Sequence, residues 1–498
     1  MDKASKQNIR KKLSPEDFIN HPDVLACIGN LTQEFGEGKR PFIVSDVIDE
    51  DGHQYAHLVQ KGGGVLGIAL VGYTYILEKM GIRFLRLAGT SAGAINTALM
   101  TVIGEKKDEK STHILEALSN LDFFCLVDGR PSVRRIIKSF ISHHNFTTRV
   151  KWFSSIIVII GILLFLVNFV LLGLHHWYPA LSDYAFISFI VSAFYFLLMG
   201  AIYYYLYLNL KRLKKRGYGI NPGDYFYDWI KLQLQSNGVH TVSDLNKKAS
   251  TLPDLKLRAD NPQDASTLFG DVTFITSELV TQNKIQFPEM CYLFREKDNI
   301  DSLQPAGFIR ASMSIPLFFE SYYIDKIPCD KQEIKDAWLN TFNEPDPPSI
   351  ARFVDGGILS NFPINIFYNS KITVPRLPSF GIDLDDSKPD DQKLTATGWS
   401  ITGYLGRIFN TIRFYYDKDF LLKNRMYEKG IGKIPLSEYN WLNFFLSDQD
   451  KIDMFIKGAQ AATKFLITDY NWDDYKLRRT VMQIKLDINE GKISLTKP

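Results

Sequence analysis

The chain has 498 residues, of which 45% are hydrophobic and 23% are charged, and its formal net charge is +3. This length and composition allow one large or two medium hydrophobic cores, and so small a net charge gives no indication of a nucleic-acid partner. The four cysteines are scattered without a C-x-x-C pair, which argues against a zinc site and against a dense disulfide framework.

Residues 1–54 are interpreted as a polar N-terminal extension. Ser14 followed by Pro15 predicts a helix N-cap with proline at the first helical position. Residues 43–48 predict an edge strand. The first residues are basic but lack an apolar segment, so no secretory signal is expected.

The stretch 57–100 predicts two successive strand–helix units. In each unit a short apolar strand ends in a glycine-rich turn that leads into a helix. The predicted elements are a strand at 57–60, a helix at 68–80, a strand at 82–88 and a helix at 92–100.

The turn after the second strand contains the pattern G-x-S-x-G, with Ser91 at its centre between Gly89 and Gly93. This pattern is typical of a nucleophilic serine on a sharp turn between a strand and a helix. Glycine is needed on both sides because the turn leaves no room for a Cβ atom. The alternative is a glycine-rich turn that packs a helix on a sheet. The strand before it, the helix after it and the glycine loop upstream favour the nucleophile.

Residues 101–151 become increasingly basic, and two uncharged apolar segments follow at 153–174 and 184–208. At about 1.5 Å per residue, each helix is long enough to cross the roughly 30 Å hydrocarbon core of a bilayer. The turn between them contains Trp177 and Tyr178 but no Lys or Arg, whereas basic residues flank both outer ends. The pattern predicts a transmembrane hairpin at 151–210 in a multi-pass membrane protein, with both flanks on the cytoplasmic side. The alternative is a pair of buried core helices.

The second half of the chain again has the pattern of a soluble domain. Strands that alternate with helices predict a mostly parallel sheet covered on both faces. The predicted elements are a helix at 221–237, strands at 271–279 and 285–287, a helix at 306–314, a surface loop at 330–348, strands at 351–354 and 380–384, and a helix at 451–466 behind a capping box at 447–450.

The predicted strand at 351–354 leads to Asp355, followed by Gly356 and Gly357. Such a strand can aim a carboxylate at a cleft, although an Asp-Gly turn alone is the commoner explanation.

The histidines argue against a Ser–Asp–His triad, which in α/β-hydrolases needs a histidine late in the chain. None of the nine histidines lies in the last half of this sequence. After Ser91, only His113 and His240 are candidates outside the hairpin and its flanks, and neither lies in a catalytic motif. An acid that acts directly on the serine fits better.

These motifs together resemble the patatin-like phospholipases, a family that uses a Ser–Asp dyad. The resemblance covers roughly residues 55–470 and rests on three ordered motifs: the glycine loop 62–67, the serine turn 89–93 and the Asp-Gly-Gly turn 355–357. Residues 310–316 and 361–363 and the late helix through Gly458 and Phe465 also look like the family. One departure is Leu66, where many members carry Arg or Lys.

The resemblance implies an α/β fold: a three-layer α/β/α patatin-like domain with a mostly parallel central sheet. Its first part would be 55–150 and its second 211–400, separated by the inserted hairpin, with 401–498 a C-terminal helical region packed on it. Ser91 would be the nucleophile and Asp355 its base. The backbone N–H groups of the glycine loop would form the oxyanion hole, and no metal or other cofactor is expected. The implied residues are Ser91 and Asp355 for catalysis, Gly62, Gly63 and Gly64 for the oxyanion hole, and Gly67, Gly89, Gly93, Gly356 and Gly357 as motif glycines.

The expected function is that of a membrane-anchored serine lipid acyl hydrolase that cleaves phospholipid esters, of the phospholipase A or lysophospholipase type. The alternatives are a neutral-lipid lipase and a catalytically silent membrane-tethered scaffold. The expected partners are membrane phospholipid as substrate and the lipid bilayer through the hairpin, with a homo-oligomer left open.

Overall fold

A computed structural model of the chain describes residues 13–119, 121–129, 131, 134, 146–175, 177–215, 217–258, 268–369, 371–372, 374–386 and 401–489. The chain forms two compact units. The first comprises Met1–Val127, Gly223–Pro316 and Ser321–Pro498, and the second comprises Asp128–Pro222 and Leu317–Glu320.

The described strands are short, as is usual for an α/β protein. They are β1 (Val47–Asp49), β2 (Gln54–Gln60), β3 (Ile82–Thr90), β4 (Gly219–Asn221), β5 (Leu255–Leu257), β6 (Asp271–Glu278), β7 (Lys284–Phe287), β8 (Leu317–Phe319), β9 (Tyr322–Ile324), β10 (Ala351–Asp355), β11 (Ser379–Asp385) and β12 (Ile431–Pro435).

The described helices alternate with these strands through most of the chain. They are α1 (Pro15–Ile19), α2 (Pro22–Phe35), α3 (Gly67–Lys79), α4 (Ala92–Val102), α5 (Ser111–Ser119), α6 (Phe146–His175), α7 (Ser182–Lys215), α8 (Asp224–Ser236), α9 (Val242–Ser250), α10 (Pro305–Ser312), α11 (Gln332–Phe342), α12 (Ile401–Lys423), α13 (Asp448–Lys464) and α14 (Trp472–Asn489).

The first unit is built on a sheet with the strand order β12-β11-β2-β3-β6-β10-β9. The strands from β12 to β6 are parallel, and β10 and β9 continue the sheet antiparallel. Nearly every residue of β2, β3 and β6 is buried, so both faces of the central sheet are covered. The predicted three-layer α/β/α fold with a mostly parallel centre is confirmed.

Two helices of the first unit, α3 and α13, pack with their backbones in direct contact. A Cβ atom on Gly72 would overlap the carbonyl oxygen of Phe455, and one on Gly458 would overlap the carbonyl oxygen of Ala69. Reciprocal glycines therefore bring the two helices together, and α3 is buried along most of its length.

The second unit contains α6 and α7 together with the two-stranded parallel sheet of β4 and β8. The Asn168 amide on α6 donates to Ser192 Oγ on α7 at 2.5 Å. The Tyr195 hydroxyl donates to the carbonyl oxygen of Ile157 at 2.6 Å. These bonds join two helices that are otherwise apolar.

Two segments, Trp152–Leu174 and Pro179–Asn209, are long and apolar enough to cross a membrane, and of their apolar 18-residue stretches only 0% and 6% are buried within the chain. A pair of buried core helices, the alternative considered from the sequence, would instead have most of its residues buried. Soluble monomers rarely expose so large a continuous apolar surface. The helices also extend beyond the predicted 153–174 and 184–208.

The predicted surface loop at 330–348 is wrong, because this segment contains α11. Its buried side chains Ile334 and Trp338 lie one turn apart, and the Trp338 indole donates to the carbonyl oxygen of Leu293 at 2.7 Å. The many Asp, Asn and Pro residues around this pair concealed the helical spacing.

The predicted edge strand at 43–48 is wrong over most of its length, since β1 begins only at Val47. The backbone N–H of Val44 donates to the Gln54 side-chain oxygen at 2.6 Å, and that of Ser45 does so at 3.4 Å. A side chain thus takes the place of a neighbouring strand. Two further differences are smaller: the helix predicted from 221 begins at Asp224, because Gly219–Asn221 forms β4, and the helical region 401–498 also contains β12.

Candidate active site

Ser91 lies on the turn between β3 and α4, with φ 53° and ψ −119°. A positive φ is rare for a residue other than glycine and costs about 1–3 kcal/mol. A Cβ atom on Gly89 would overlap the backbone of Gly93, and one on Gly93 would overlap the carbonyl oxygen of Gln60. The two flanking glycines therefore leave the space that this turn needs.

The backbone of Ser91 is fixed by Ser312, the last residue of α10. The Ser91 N–H donates to Ser312 Oγ at 3.0 Å, and Ser312 Oγ donates to the carbonyl oxygen of Ile275 at 2.6 Å. Ser91 is only 3% exposed, and its own hydroxyl makes no hydrogen bond within the described part of the chain. Ser312 was not identified from the sequence, where residues 310–316 were only a point of family resemblance.

Asp355 lies at the same level of the sheet as Ser91, on the other side of β6. Thr90 pairs with Ile275 of β6, and Asp355 pairs with the next residue, Thr276. At the usual strand spacing, the backbones of β3 and β10 are about 10 Å apart. Because β10 runs antiparallel, it ends where β3 ends, and the sheet brings the two predicted catalytic residues to opposite sides of one strand.

The turn after β10 holds the Asp355 side chain in place. Its Oδ1 accepts the backbone N–H of Gly357 at 2.7 Å, and its own backbone N–H donates to the carbonyl oxygen of Ser314 at 2.8 Å. A Cβ atom on Gly356 would overlap the carbonyl oxygen of Ile275. The two glycines thus let the turn pass close to β6 and support the carboxylate.

The glycine loop lies directly against the nucleophile. A Cβ atom on Gly62 would be 3.1 Å from Ser91 Cβ and 2.6 Å from Asn361 Oδ1. The Gly62 N–H donates to the carbonyl oxygen of Asn361 at 2.9 Å, and the Asn361 amide donates back to the Gly62 carbonyl at 3.2 Å. The Gly62 N–H is therefore engaged, whereas those of Gly63 and Gly64 have no acceptor among the described residues.

Packing around the end of the glycine loop involves Gly67 and Leu66. A Cβ atom on Gly67 would be 3.2 Å from Ala92 Cβ, so the start of α3 lies close to the start of α4. Leu66 is 0% exposed. In this chain that position contributes to the apolar packing.

A buried carboxylate from the C-terminal region supports the loop through Asn361. Asp417 on α12 accepts the Ser360 hydroxyl at 2.7 Å and the Phe362 N–H at 2.8 Å. It thus holds the residues on both sides of Asn361, which in turn binds Gly62. Burial raises the pKa of Asp417 to about 6, although both hydrogen bonds and Lys284 favour its charged form.

Replacing Asp417 with asparagine is expected to change how stability depends on pH. The folded state binds the proton on Asp417 more tightly than the unfolded state, so the contribution of Asp417 to stability is greatest below about pH 4 and is lost as the pH rises through 6. Asparagine does not titrate. The difference in free energy of unfolding between the two proteins should therefore shift by about 3 kcal/mol, in favour of the variant, between pH 4 and pH 7.

Unfolding of the full-length protein in detergent, followed across this pH range, measures that difference. The matched control is Asp419→Asn, two residues along α12, where the carboxylate is partly exposed and paired with Lys423 at 2.7 Å. A similar pH-dependent shift in both variants would contradict the assignment to Asp417.

A narrow apolar cavity of about 40 Å³ adjoins the glycine loop and the start of α4. It offers space for an apolar chain beside Ser91. Its lining residues are Gly64, Val65, Ala92, Ile95, Leu118, Leu121, Phe123, Leu126, Phe226, Trp229, Met313, Ile315 and Phe444.

None of the described histidines lines this cavity. His113 lies on α5, and His240 precedes α9, where its backbone N–H donates to Asp244 at 3.0 Å. His143, His144 and His176 lie outside the described residues. No described contact therefore joins His113 or His240 to the serine turn.

One group of described residues brings three potential metal-ligand atoms within 4.8 Å of one another: Asp49, Asp51 and His53. This group was not predicted from the sequence. Asp49 Oδ2 already bonds to the His53 ring at 2.9 Å and to the Tyr55 hydroxyl at 2.8 Å. The group precedes β2, whereas the glycine loop follows β2.

Two known proteins are similar to this chain. The sequence is 25% identical over 412 residues to the uncharacterized protein YqhO of Bacillus subtilis (strain 168), covering 83% of this chain and 98% of that protein. VipD from Legionella pneumophila, a solved structure, aligns with 88% of this chain and 72% of its own at 13% identity, with a TM-score of 0.33. A TM-score this low does not support any inference about this chain.

The family model described as patatin-like phospholipase matches residues 58–368, more than half of the chain. The matched region includes the glycine loop, the serine turn and the aspartate turn, which the fold places around one end of β3. The chain belongs to the patatin-like phospholipase family.

Proposed function

We propose that this chain is a membrane-anchored acyl hydrolase that cleaves carboxylic esters of phospholipids, with Ser91 as nucleophile and Asp355 as base. Family membership supports hydrolysis of lipid esters. The observation that carries the finer proposal is the serine turn itself. Ser91 is held in a strained conformation against a glycine loop with two unengaged N–H groups, level with a buried carboxylate.

In the proposed first step, Ser91 Oγ attacks the ester carbonyl carbon while its proton passes to the Asp355 carboxylate. The carbonyl oxygen becomes an oxyanion, which the N–H groups of Gly63, Gly64 and Ala92 would stabilise. When the tetrahedral intermediate collapses, the leaving alcohol takes the proton from Asp355 and the acyl group stays on Ser91.

In the second step, water attacks the acyl-enzyme and gives up a proton to Asp355. Collapse of this second intermediate releases the fatty acid and returns the proton to Ser91. A carboxylate is a weak base for an alcohol, so most of the acceleration is assigned to the placement of Ser91 and to the oxyanion donors. Catalytic hydrogen bonds often tighten only when substrate binds, which fits a Ser91 hydroxyl that has no partner among the described residues.

The apolar cavity beside Gly64 and Ala92 is proposed to receive the first part of the acyl chain. The two exposed apolar helices, α6 and α7, are proposed to anchor the protein in the bilayer that supplies the substrate. Basic residues that flank the hairpin in the sequence favour anionic headgroups.

A headgroup-resolved panel of lipids tests this function with the full-length protein in vesicles. Release of fatty acid from phospholipid, faster for anionic than for zwitterionic headgroups, is expected. Hydrolysis of triacylglycerol alone would identify a neutral-lipid lipase instead. No hydrolysis of any lipid, together with no labelling of Ser91 by a fluorophosphonate, would favour the silent scaffold.

The membrane topology gives a separate prediction. In a background with its four cysteines replaced, Trp177→Cys should react with an impermeant maleimide added outside intact cells, because the turn is expected on the far side of the membrane. Ser236→Cys, an exposed position on α8, should react only after permeabilisation. Protection of position 177 until the membrane is opened would contradict the hairpin.

Gly62→Ala is expected to displace the donors of Gly63 and Gly64 and so to lower hydrolysis by about 10²- to 10³-fold, the usual effect of losing an oxyanion donor. The added Cβ would stand 2.6 Å from Asn361 Oδ1 and would push the glycine loop away from Ser91. Steady-state hydrolysis of a soluble ester measures the loss. Gly29→Ala is the matched control, because a Cβ there meets nothing within 4 Å, and equal rates for the two variants would contradict the role of the loop.

A further inference from the structure

A second cleft, of about 310 Å³, opens on the first unit at the other end of the central strands. It is lined by His57 of β2, Arg86 of β3 and Ser379 of β11, and by residues of α14. Ser91 comes five positions after Arg86, which corresponds to about 16 Å along an extended strand. The cleft is therefore distinct from the proposed active site.

The polar groups of this cleft are cationic or can donate a hydrogen bond. Three arginines line it, Arg86, Arg376 and Arg479, together with Tyr427 and Tyr475, and none of its lining residues is Asp or Glu. Other parts of the wall are apolar and include Phe269 and Phe367. Such a surface is complementary to an anion that carries an apolar part.

Two of the three arginines form ion pairs with carboxylates outside the lining. Arg86 binds Asp271 through two hydrogen bonds of 2.9 and 2.6 Å. Arg376 lies 3.4 Å from Asp46. Asp46 also pairs with Lys476 at 3.2 Å, so the surroundings of this carboxylate stay cationic. Arg479 is the lining arginine that has no ion pair among the described residues.

Arg479 is only 4% exposed and contacts no carboxylate among the described residues. Its guanidinium donates to Gln483 Oε1 and to the carbonyl oxygen of Asn369, both at 3.2 Å. It also lies 5.0 Å from the Tyr368 ring and 5.7 Å from the Tyr427 ring. Burying a cation without an anionic partner is costly, and a bound anion would remove that penalty.

His57 adds a polar atom without a partner. Its Nδ1 is buried and makes no hydrogen bond in the described part of the structure. Burial, with Arg86 and Lys106 nearby, lowers the pKa of His57 to about 3, so the imidazole is neutral and one ring nitrogen carries a proton. That N–H can donate to an oxyanion.

We propose that this cleft binds a small organic oxyanion, a carboxylate or a phosphate monoester, with its head at Arg479 and His57. The apolar part of the ligand would lie against Phe269 and Phe367. Guanidinium groups bind both kinds of oxyanion through charge-assisted hydrogen bonds, so the two share one chemistry. The proposal does not depend on the esterase activity.

The test is isothermal titration of the full-length protein in nanodiscs, with empty nanodiscs as the blank. Octanoate, glycerol 3-phosphate and inorganic phosphate are the probes. Saturable binding of octanoate alone would assign a carboxylate ligand, and saturable binding of the phosphate probes would assign a phosphate head. Either result supports the site, and no saturable binding of any probe would overturn it.

Arg479→Gln should weaken binding by about 10- to 100-fold. The matched control is Arg478→Gln on the same helix, an arginine 55% exposed and paired with Asp474 at 2.7 Å, which should bind as the wild type does. Because Arg479 is buried, Val374→Asp serves as a second variant. Val374 lines the cleft and is 45% exposed, so a carboxylate there repels an anion without emptying the core. Wild-type affinity in both Arg479→Gln and Val374→Asp would overturn the proposal.

Discussion

Replacing Ser91 with alanine is expected to lower fatty-acid release from phospholipid vesicles by about 10⁴-fold or more, the scale seen when a catalytic nucleophile is removed. The hydroxyl is the only group lost, and it makes no hydrogen bond to a described residue, so the fold should be unaffected. Alanine also retains the Cβ atom that already tolerates the strained turn. Initial rates with the same vesicles, together with the thermal unfolding midpoint, separate loss of chemistry from loss of structure.

Labelling with a fluorophosphonate gives an independent readout of the same residue. The wild type should be labelled at Ser91, and Ser91→Ala should not be labelled. The matched control is Ser236→Ala, an exposed serine on α8 whose hydroxyl donates to the carbonyl oxygen of Gln233 at 3.0 Å. Wild-type hydrolysis by Ser91→Ala would remove the serine from the mechanism altogether.

The features that were predictable from the sequence are those that depend on residues close to one another in the chain. The serine turn depends on glycines two positions away, and the strand–helix periodicity around it spans fewer than fifty residues. The apolar helices α6 and α7 were visible because a bilayer imposes a length and a lack of charge. Their pattern does not depend on any distant contact.

The hydrogen bonds that hold the site residues in place were not predictable, because they join residues far apart in the chain. Ser312 reaches Ser91 across 221 positions, and Asp417 reaches Ser360 across 57. A serine or an aspartate on a helix normally faces solvent, and nothing in the local sequence marks these two as buried. The antiparallel β10 was also hidden, since a strand's direction depends on its neighbours.

The cleft around Arg479 was also not predictable from the sequence, because its residues come from distant parts of the chain. Its lining comes from β2, β3, β11, α14 and the connections between them, and no two of its cationic residues are close in sequence. By contrast, the error at α11 is local. There the pair Ile334 and Trp338 was present in the sequence but was outweighed by the polar residues around it.

Asp355→Asn is expected to lower hydrolysis by about 10²- to 10⁴-fold, the range of a general base. Asparagine keeps an oxygen that can accept the Gly357 N–H, a bond of 2.7 Å in the wild type, so the turn after β10 should hold. What is lost is the ability to take the proton from Ser91. Rates with a phospholipid and with an activated soluble ester should both fall, because the base is needed for either substrate.

A matched control is needed to separate loss of the base from a general effect of removing a carboxylate. Asp325→Asn changes an exposed aspartate beside β9, the strand that pairs with β10, and should hydrolyse both substrates at the wild-type rate. If Asp355→Asn does the same, the base is another group and the Ser–Asp pair is rejected. If Asp355→Asn is inactive but is still labelled by a fluorophosphonate at a reduced rate, Ser91 is in place and has lost only the carboxylate that activates it. That outcome is the one expected if the two residues, which the strand register places at the same level on either side of β6, act as a pair.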